Sequence, residues 1–153
     1  EIWTMQSSWH NLPEFEPESA QYQQQSGLEF AARDVTVSDA LDAITMDIAP
    51  TYGAVPGLGF YRRRVQLGES GLTVQDETDY HGTVALTLMS VEKPAVEGGT
   101  VQFGTLAAAY IKGAARIATE AVPITDPRLR QAWPDTLYRI RIYFTGALAV
   151  EVQ

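Results

Sequence analysis

The chain's two histidines, at positions 10 and 81, each stand beside other groups able to do chemistry. His10 lies in Ser8-Trp9-His10-Asn11-Leu12-Pro13, between the apolar run Ile2-Trp3-Thr4-Met5 and the acidic Glu14-Phe15-Glu16-Pro17-Glu18. Imidazole is the commonest metal ligand and an acid–base group near neutral pH. Zinc needs three or four ligands, and no His-x-His or His-x-x-x-His spacing supplies a second. By type and spacing alone, His10 therefore fits a packed or surface residue better than a ligand. The second cluster, Asp76-Glu77-Thr78-Asp79-Tyr80-His81, offers carboxylate and imidazole for a cation or a proton transfer. It reads more simply as a solvated turn in which Asp bonds the local backbone. In Arg62-Arg63-Arg64, strand alternation puts Arg62 and Arg64 on one face and Arg63 on the other. Two arginines on one face can clamp a carboxylate or sulfate through paired N–H groups. Cross-strand ion pairs with the abundant acids are the commoner use of such residues, and Tyr138-Arg139-Ile140-Arg141-Ile142-Tyr143 reads the same way. Trp3, Trp9, Tyr52, Tyr61 and Trp133 are able to stack on sugar rings, although most aromatic residues fill cores. There is no Gly-x-Ser-x-Gly, phosphate-binding loop or dinucleotide fingerprint.

These groups need a scaffold, and 153 residues suffice for one domain with a true core. Hydrophobic residues make up 45% and charged residues 20%, an ordinary globular mix. Cysteine is absent, which removes disulfides and thiolate metal sites. The formal net charge of −8 disfavours nucleic acid, whose affinity is dominated by phosphate contacts. It weighs less against an acidic polysaccharide, which a local basic cluster can still hold. No apolar run approaches the ~18 residues of a membrane span, so no membrane partner is expected. The compartment stays open. The chain begins with Glu, which is expected of a processed chain or one part of a larger protein.

From residue 28 onward the pattern is short strands separated by turn signals, after a candidate edge strand at 1–7 and a long loop at 13–27. Strands are expected at 28–37, 41–49 and 60–67, the last turning through Gly68-Glu69-Ser70-Gly71 into Leu72–Asp76 as a hairpin. Val84, Leu86 and Leu88 alternate as a buried strand, and Gly98-Gly99 marks a tight hairpin. Strands follow at 107–111, 116–124, 137–144 and 147–152. Asp126-Pro127 reads as a cap followed by a helical turn over 127–132. The spacing predicts an all-β, mostly antiparallel β-sandwich of many short strands with at most one short helical turn, in a single domain over 1–153.

Several of these pieces, in this order, resemble the C-terminal β-sandwich of heparinase II/III-like polysaccharide lyases. Ser8-Trp9-His10-Asn11-Leu12-Pro13 looks like that family's His-Asn segment. Phe30–Val35, Ala43–Ala49 with Tyr52, Tyr61–Leu67, Leu72–Asp76, Ile124–Leu129 with Trp133, and Leu137–Ile140 follow it. One departure stands out: the family continues with a short apolar-Asn-Gly turn where this chain has Glu14-Phe15-Glu16-Pro17.

The resemblance implies an α/α toroid ahead of the sandwich and cleavage of uronic-acid-containing polysaccharide by β-elimination. The catalytic residues would lie mainly in upstream regions, so none is assigned in this chain and the isolated 153 residues are expected to be inactive. It also implies that His10 helps bind a structural zinc in the intact protein, with a His and an Asp from earlier strands. This chain alone is expected to hold no zinc, because one ligand does not retain the ion. Substrate contacts are expected from Arg62, Arg64, Trp9 and Tyr52. The chain would then be a supporting domain whose partners are the toroid and an acidic polysaccharide. The alternatives are a stand-alone carbohydrate-binding module and a purely structural domain that forms a homodimer.

Overall fold

A computed structural model describes residues 3–19 and 21–153. The chain folds as an all-β, antiparallel sandwich, with ten strands among the described residues. In chain order these are β1 (Pro13–Phe15), β2 (Arg33–Ser38), β3 (Ala43–Asp47), β4 (Tyr61–Gly68) and β5 (Gly71–Thr78). After them come β6 (Val84–Ser90), β7 (Pro94–Glu97), β8 (Thr100–Phe103), β9 (Ala107–Pro123) and β10 (Thr136–Val152). Among the described residues no helix is long and apolar enough to cross a membrane.

The two longest strands, β9 and β10, organise the rest. One half of the sandwich runs β2-β3-β4-β5, then the end of β10, the start of β9, and β8-β7. The other half is β1-β6, then the start of β10 (Tyr138–Phe144) and the end of β9. The changeover lies at Phe144–Ala147, where β6 pairing ends and β5 pairing begins. There the β9–β10 register shifts, opposite Gly113 at φ 93° and beside Gly146 at φ 71°. Glycine reaches such angles without the steric cost that a Cβ brings, so it lets both strands turn the corner unbroken.

Alternation along each strand fills the space between the halves. Val84, Leu86, Ile140, Ile142 and Phe144 enter from one side, and Tyr61, Val101, Ile111, Leu148 and Val150 from the other. Phe15 sits among Tyr52, Tyr61 and Tyr80, edge to face with each at centroid distances of 4.9, 5.8 and 5.2 Å. Offset and perpendicular ring contacts of this kind are the favoured aromatic geometry. The expected hairpins form at Glu69-Ser70 and Gly98-Gly99.

Several local expectations are corrected. Residues 3–7 form no edge strand, because Trp3–Met5 and Ser7–Trp9 are 3₁₀ turns. The Glu1 and Ile2 part of that expectation lies outside the described residues. The loop expected over 13–27 starts as strand β1 on β6, and Phe15 also bridges to Tyr22. Ala20, within that loop, lies outside the described residues. The strand expected over 28–37 opens with a 3₁₀ turn at Leu28–Phe30. Further 3₁₀ turns at Asp39–Leu41 and Ala49–Tyr52 add to the expected one, which spans Leu129–Gln131. The pieces 107–111 with 116–124, and 137–144 with 147–152, are single strands of 17 residues each.

Candidate binding cleft

All three tryptophans of the chain, remote in sequence, line one open cleft. Its volume is about 380 Å³, within the ~300–1,000 Å³ span of small-molecule sites. The cleft lies where β6 ends and β10 begins, on the face turned away from the core. Met89, Val91 and Leu137 supply apolar surface there, and His10, Asn11 and Ser90 supply polar groups.

Each wall has a local cause. The connection from β9 to β10 closes through Ile124 N–H to the Asp135 carbonyl, 2.8 Å. Asp126 Oδ1 accepts from Arg128 N–H at 2.8 Å just ahead of the 3₁₀ turn, whose cap position is Arg128 rather than the expected Asp126. The turn ends with Trp133 N–H donating to the Leu129 carbonyl at 2.9 Å, which leaves the Trp133 side chain 47% exposed at the cleft. The opposite wall is the N-terminal segment, where Trp3 and Trp9 meet edge to face at 4.5 Å.

Two buried arginines of the sandwich hold that segment. Arg63 Nη1 donates to the Asn11 carbonyl at 2.7 Å, and Arg139 Nη1 donates to the Ser8 carbonyl at 3.4 Å. The Arg139 guanidinium also lies over the Trp9 ring, 4.0 Å from its centroid, and its Nε donates to Glu120 Oε1. The Trp9–His10 stretch is thus clamped at both ends, and the Trp9 indole is held from behind by a cation. Ser7 Oγ and Ser8 N–H both donate to Gln23 Oε1, at 2.7 and 3.2 Å, adding a third tie.

Arg63 keeps its charge inside the protein because Asp76 faces it. Asp76 accepts from Arg63 Nε and Nη2 at 2.7 and 2.6 Å and from the Tyr61 hydroxyl at 2.6 Å. Burial opposes the guanidinium charge, but the Asp76 hydrogen bonds and charge outweigh it and hold the Arg63 pKa above its ordinary value. Burial likewise pushes the Tyr61 and Tyr52 phenols well up.

A second buried polar group lies on the outer face of β6 and β10. Glu14, 2% exposed, accepts from Thr87 Oγ1 at 3.0 Å and stands 3.5 Å from Arg141 Nε. Burial raises the Glu14 pKa against the opposing pull of Arg141. Glu14 Oε2 and Arg141 Nε have no hydrogen-bond partner among the described residues.

The residues singled out from sequence separate in space. Trp9 and His10 line the cleft. Arg62 and Arg64 do not; they lie on the outward side of β4, and Arg62 pairs across the strands with Glu77 at 3.6 Å. Tyr52 is corrected outright: it is 3% exposed and donates its hydroxyl to the Pro13 carbonyl at 2.6 Å, so no ring face is open to a sugar. In the Asp76–His81 cluster, Asp76 belongs to the buried arginine pair. Asp79 Oδ1 accepts from the Gly59 and Phe60 amides, both at 2.9 Å, and the Phe60 bond in particular lowers its pKa. Burial, reinforced by a 2.7 Å hydrogen bond to Glu16, pushes the Tyr80 phenol up to about 12. His81, Thr145 and Gly146 border a shallow hollow beside them.

Sequence reasoning passed over Arg63 and Arg139 as holders of the cleft wall and set Trp133 apart from Trp9. The alternation of β4 already put Arg63 on the opposite face from Arg62 and Arg64, and that was the available signal.

A zinc ion implied by the lyase resemblance would need ligands around His10. Among the described residues no group of three or more His, Asp or Glu side chains is placed to hold a metal. His10 is exposed on the cleft wall with Asn11 as its polar neighbour there, so these residues by themselves do not fit a zinc centre. No family model matches the chain, and no curated protein matches it.

Proposed function

We propose that this chain is a non-catalytic, carbohydrate-contacting β-sandwich, and that it supports the α/α toroid of a heparinase II/III-like polysaccharide lyase. Its partners on this reading are that toroid and a uronic-acid-containing polysaccharide cleaved by β-elimination. The observation that carries the reading is the convergence of Trp3, Trp9 and Trp133 on one cleft beside His10 and Asn11. Indole faces stack on the C–H face of a pyranose, and the polar rim exchanges hydrogen bonds with its hydroxyls. The ordered motifs that resemble the lyase sandwich supply the enzyme context.

The three tryptophans that this chain itself brings to the cleft also favour a second reading, a stand-alone carbohydrate-binding module. The residues encoded ahead of Glu1 separate the two. Several helices followed by alternating strands that carry a His and an Asp support the lyase.

The direct test is titration of the 153-residue chain with heparin, chondroitin and alginate oligosaccharides. Tryptophan fluorescence reports binding, and ultraviolet absorbance reports unsaturated uronate. A saturable fluorescence change without product is expected with at least one of the three. Product would overturn the non-catalytic assignment, and a flat titration with all three would count against sugar contact.

A further inference from the structure

We infer that the three-tryptophan cleft takes an uncharged pyranose ring, such as a neutral hexose or N-acetylhexosamine unit, and excludes the uronate. This rests on the carbohydrate-contacting reading above and assigns which sugar of a mixed polymer the cleft holds.

Among the described residues, no Lys, Arg, Asp or Glu lines the cleft. A carboxylate moved from water into aromatic and aliphatic surroundings loses hydration that only a cation or several N–H donors restore. Arg139, the guanidinium against the Trp9 ring, is already paired. It lies behind Trp9, is 7% exposed, and donates to Glu120 and to the Ser8 carbonyl. Arg62 and Arg64, the arginines suited by type to a uronate, stand outside the cleft. Long-range attraction is also absent, because the chain carries a formal net charge of −8.

What the cleft does offer suits a neutral ring. Thr4, Ser90 and Asn11 combine donor and acceptor capacity, as hydroxyl and acetamido groups require. The Trp9 ring is held before any ligand arrives, by Arg139 over it and by an edge-to-face contact with Trp3 at 4.5 Å. A fixed platform avoids part of the ordering cost of binding.

The test uses the full chain and three tetrasaccharides: β-1,4-linked glucose, β-1,4-linked N-acetylglucosamine, and a tetra-uronate. Calorimetry and tryptophan fluorescence are followed for the natural chain, Trp133→Ala and Val91→Arg. At least one neutral tetramer is expected to bind about tenfold or more tighter than the tetra-uronate, the desolvation of an unpaired carboxylate setting the gap. Trp133→Ala is expected to weaken the neutral ligand by about tenfold, as loss of a stacking face does. Its circular dichroism is expected to stay unchanged, because the side chain is half exposed. Val91→Arg places a cation at the cleft and is expected to narrow the preference by raising uronate affinity. Tighter binding of the tetra-uronate, lost in Trp133→Ala, would overturn the inference and leave sugar contact standing. Neutral binding unchanged in Trp133→Ala would place the sugar elsewhere and also overturn it. No binding of any tetramer would overturn this inference and the sugar-contacting reading together.

Discussion

Replacing Asp76 with Asn should destabilise the domain severely, and the size of the loss follows from what surrounds it. Asp76 is 3% exposed and accepts three hydrogen bonds, two from Arg63 and one from the Tyr61 hydroxyl. Arg63 is itself 8% exposed, and its remaining hydrogen bond goes to the Asn11 carbonyl. An amide keeps the shape but removes the charge, which leaves a buried guanidinium without a counterion. Breaking a buried pair in this way costs about 3–5 kcal/mol. With a urea dependence near ~2 kcal/mol per M, the unfolding midpoint should fall by roughly 1.5–2.5 M. The assay is urea unfolding followed by tryptophan fluorescence. The double variant Arg63→Met with Asp76→Leu removes both charges and should recover most of the loss, since an apolar pair of similar volume replaces ions at little cost. A midpoint shift under about 0.5 M for Asp76→Asn would refute the reasoning, because it would mean that the pair is worth no more than an exposed one.

Four further outcomes follow from single positions. Glu14 has a folded-state pKa raised above its ordinary 4.5, so the folded state holds the proton more tightly than the unfolded chain. Stability should therefore fall as pH rises from about 4.5 through the raised value and level off above it. Glu14→Gln should lack this decline, and parallel melting profiles of the two proteins across that range would contradict it. Gly113→Ala should cost about 2 kcal/mol or more, because φ is +93° and the new Cβ would lie 2.5 Å from the Ala147 carbonyl oxygen. Gly98→Ala, at φ +57° with open space around it, should lose only ~1 kcal/mol in the same urea assay. Tyr52→Phe removes the donor to the Pro13 carbonyl and should cost about 1–3 kcal/mol. It should leave any sugar titration unchanged, and a weakened titration would show that the buried phenol matters to the cleft.

Much of the sheet is legible as alternation, because one side of each strand meets the core. Tyr61 and Arg63 point inward from β4 while Arg62 points out, and Ile140 and Ile142 point inward from β10. Hairpins were legible where Gly-containing turns left little choice of geometry. The three-residue strand β1 was not, because Pro13, Glu14 and Glu16 carry turn and surface signals, and its place against β6 is fixed by a partner about seventy residues away. Gly113 and Gly146 read as breaks, whereas in the fold they let continuous strands bend. The cleft was half legible. Residue type marked Trp9 and Trp133, but only the closure of the β9–β10 connection brings them together. Residue type also marked Tyr52, and nothing local tells a buried phenol from an exposed one.

The strand β10 pairs with β5, β6 and β9, so the strand pairing that joins the two halves of the sandwich runs through it and its neighbour β9. Neither half is a separable unit of inheritance or of melting. A recombination junction or protease cut inside Thr136–Val152 would take down both halves at once, and the molecule should lose structure in one step. The amides of Ile140–Phe144, bonded on both edges, should be the last to exchange with solvent.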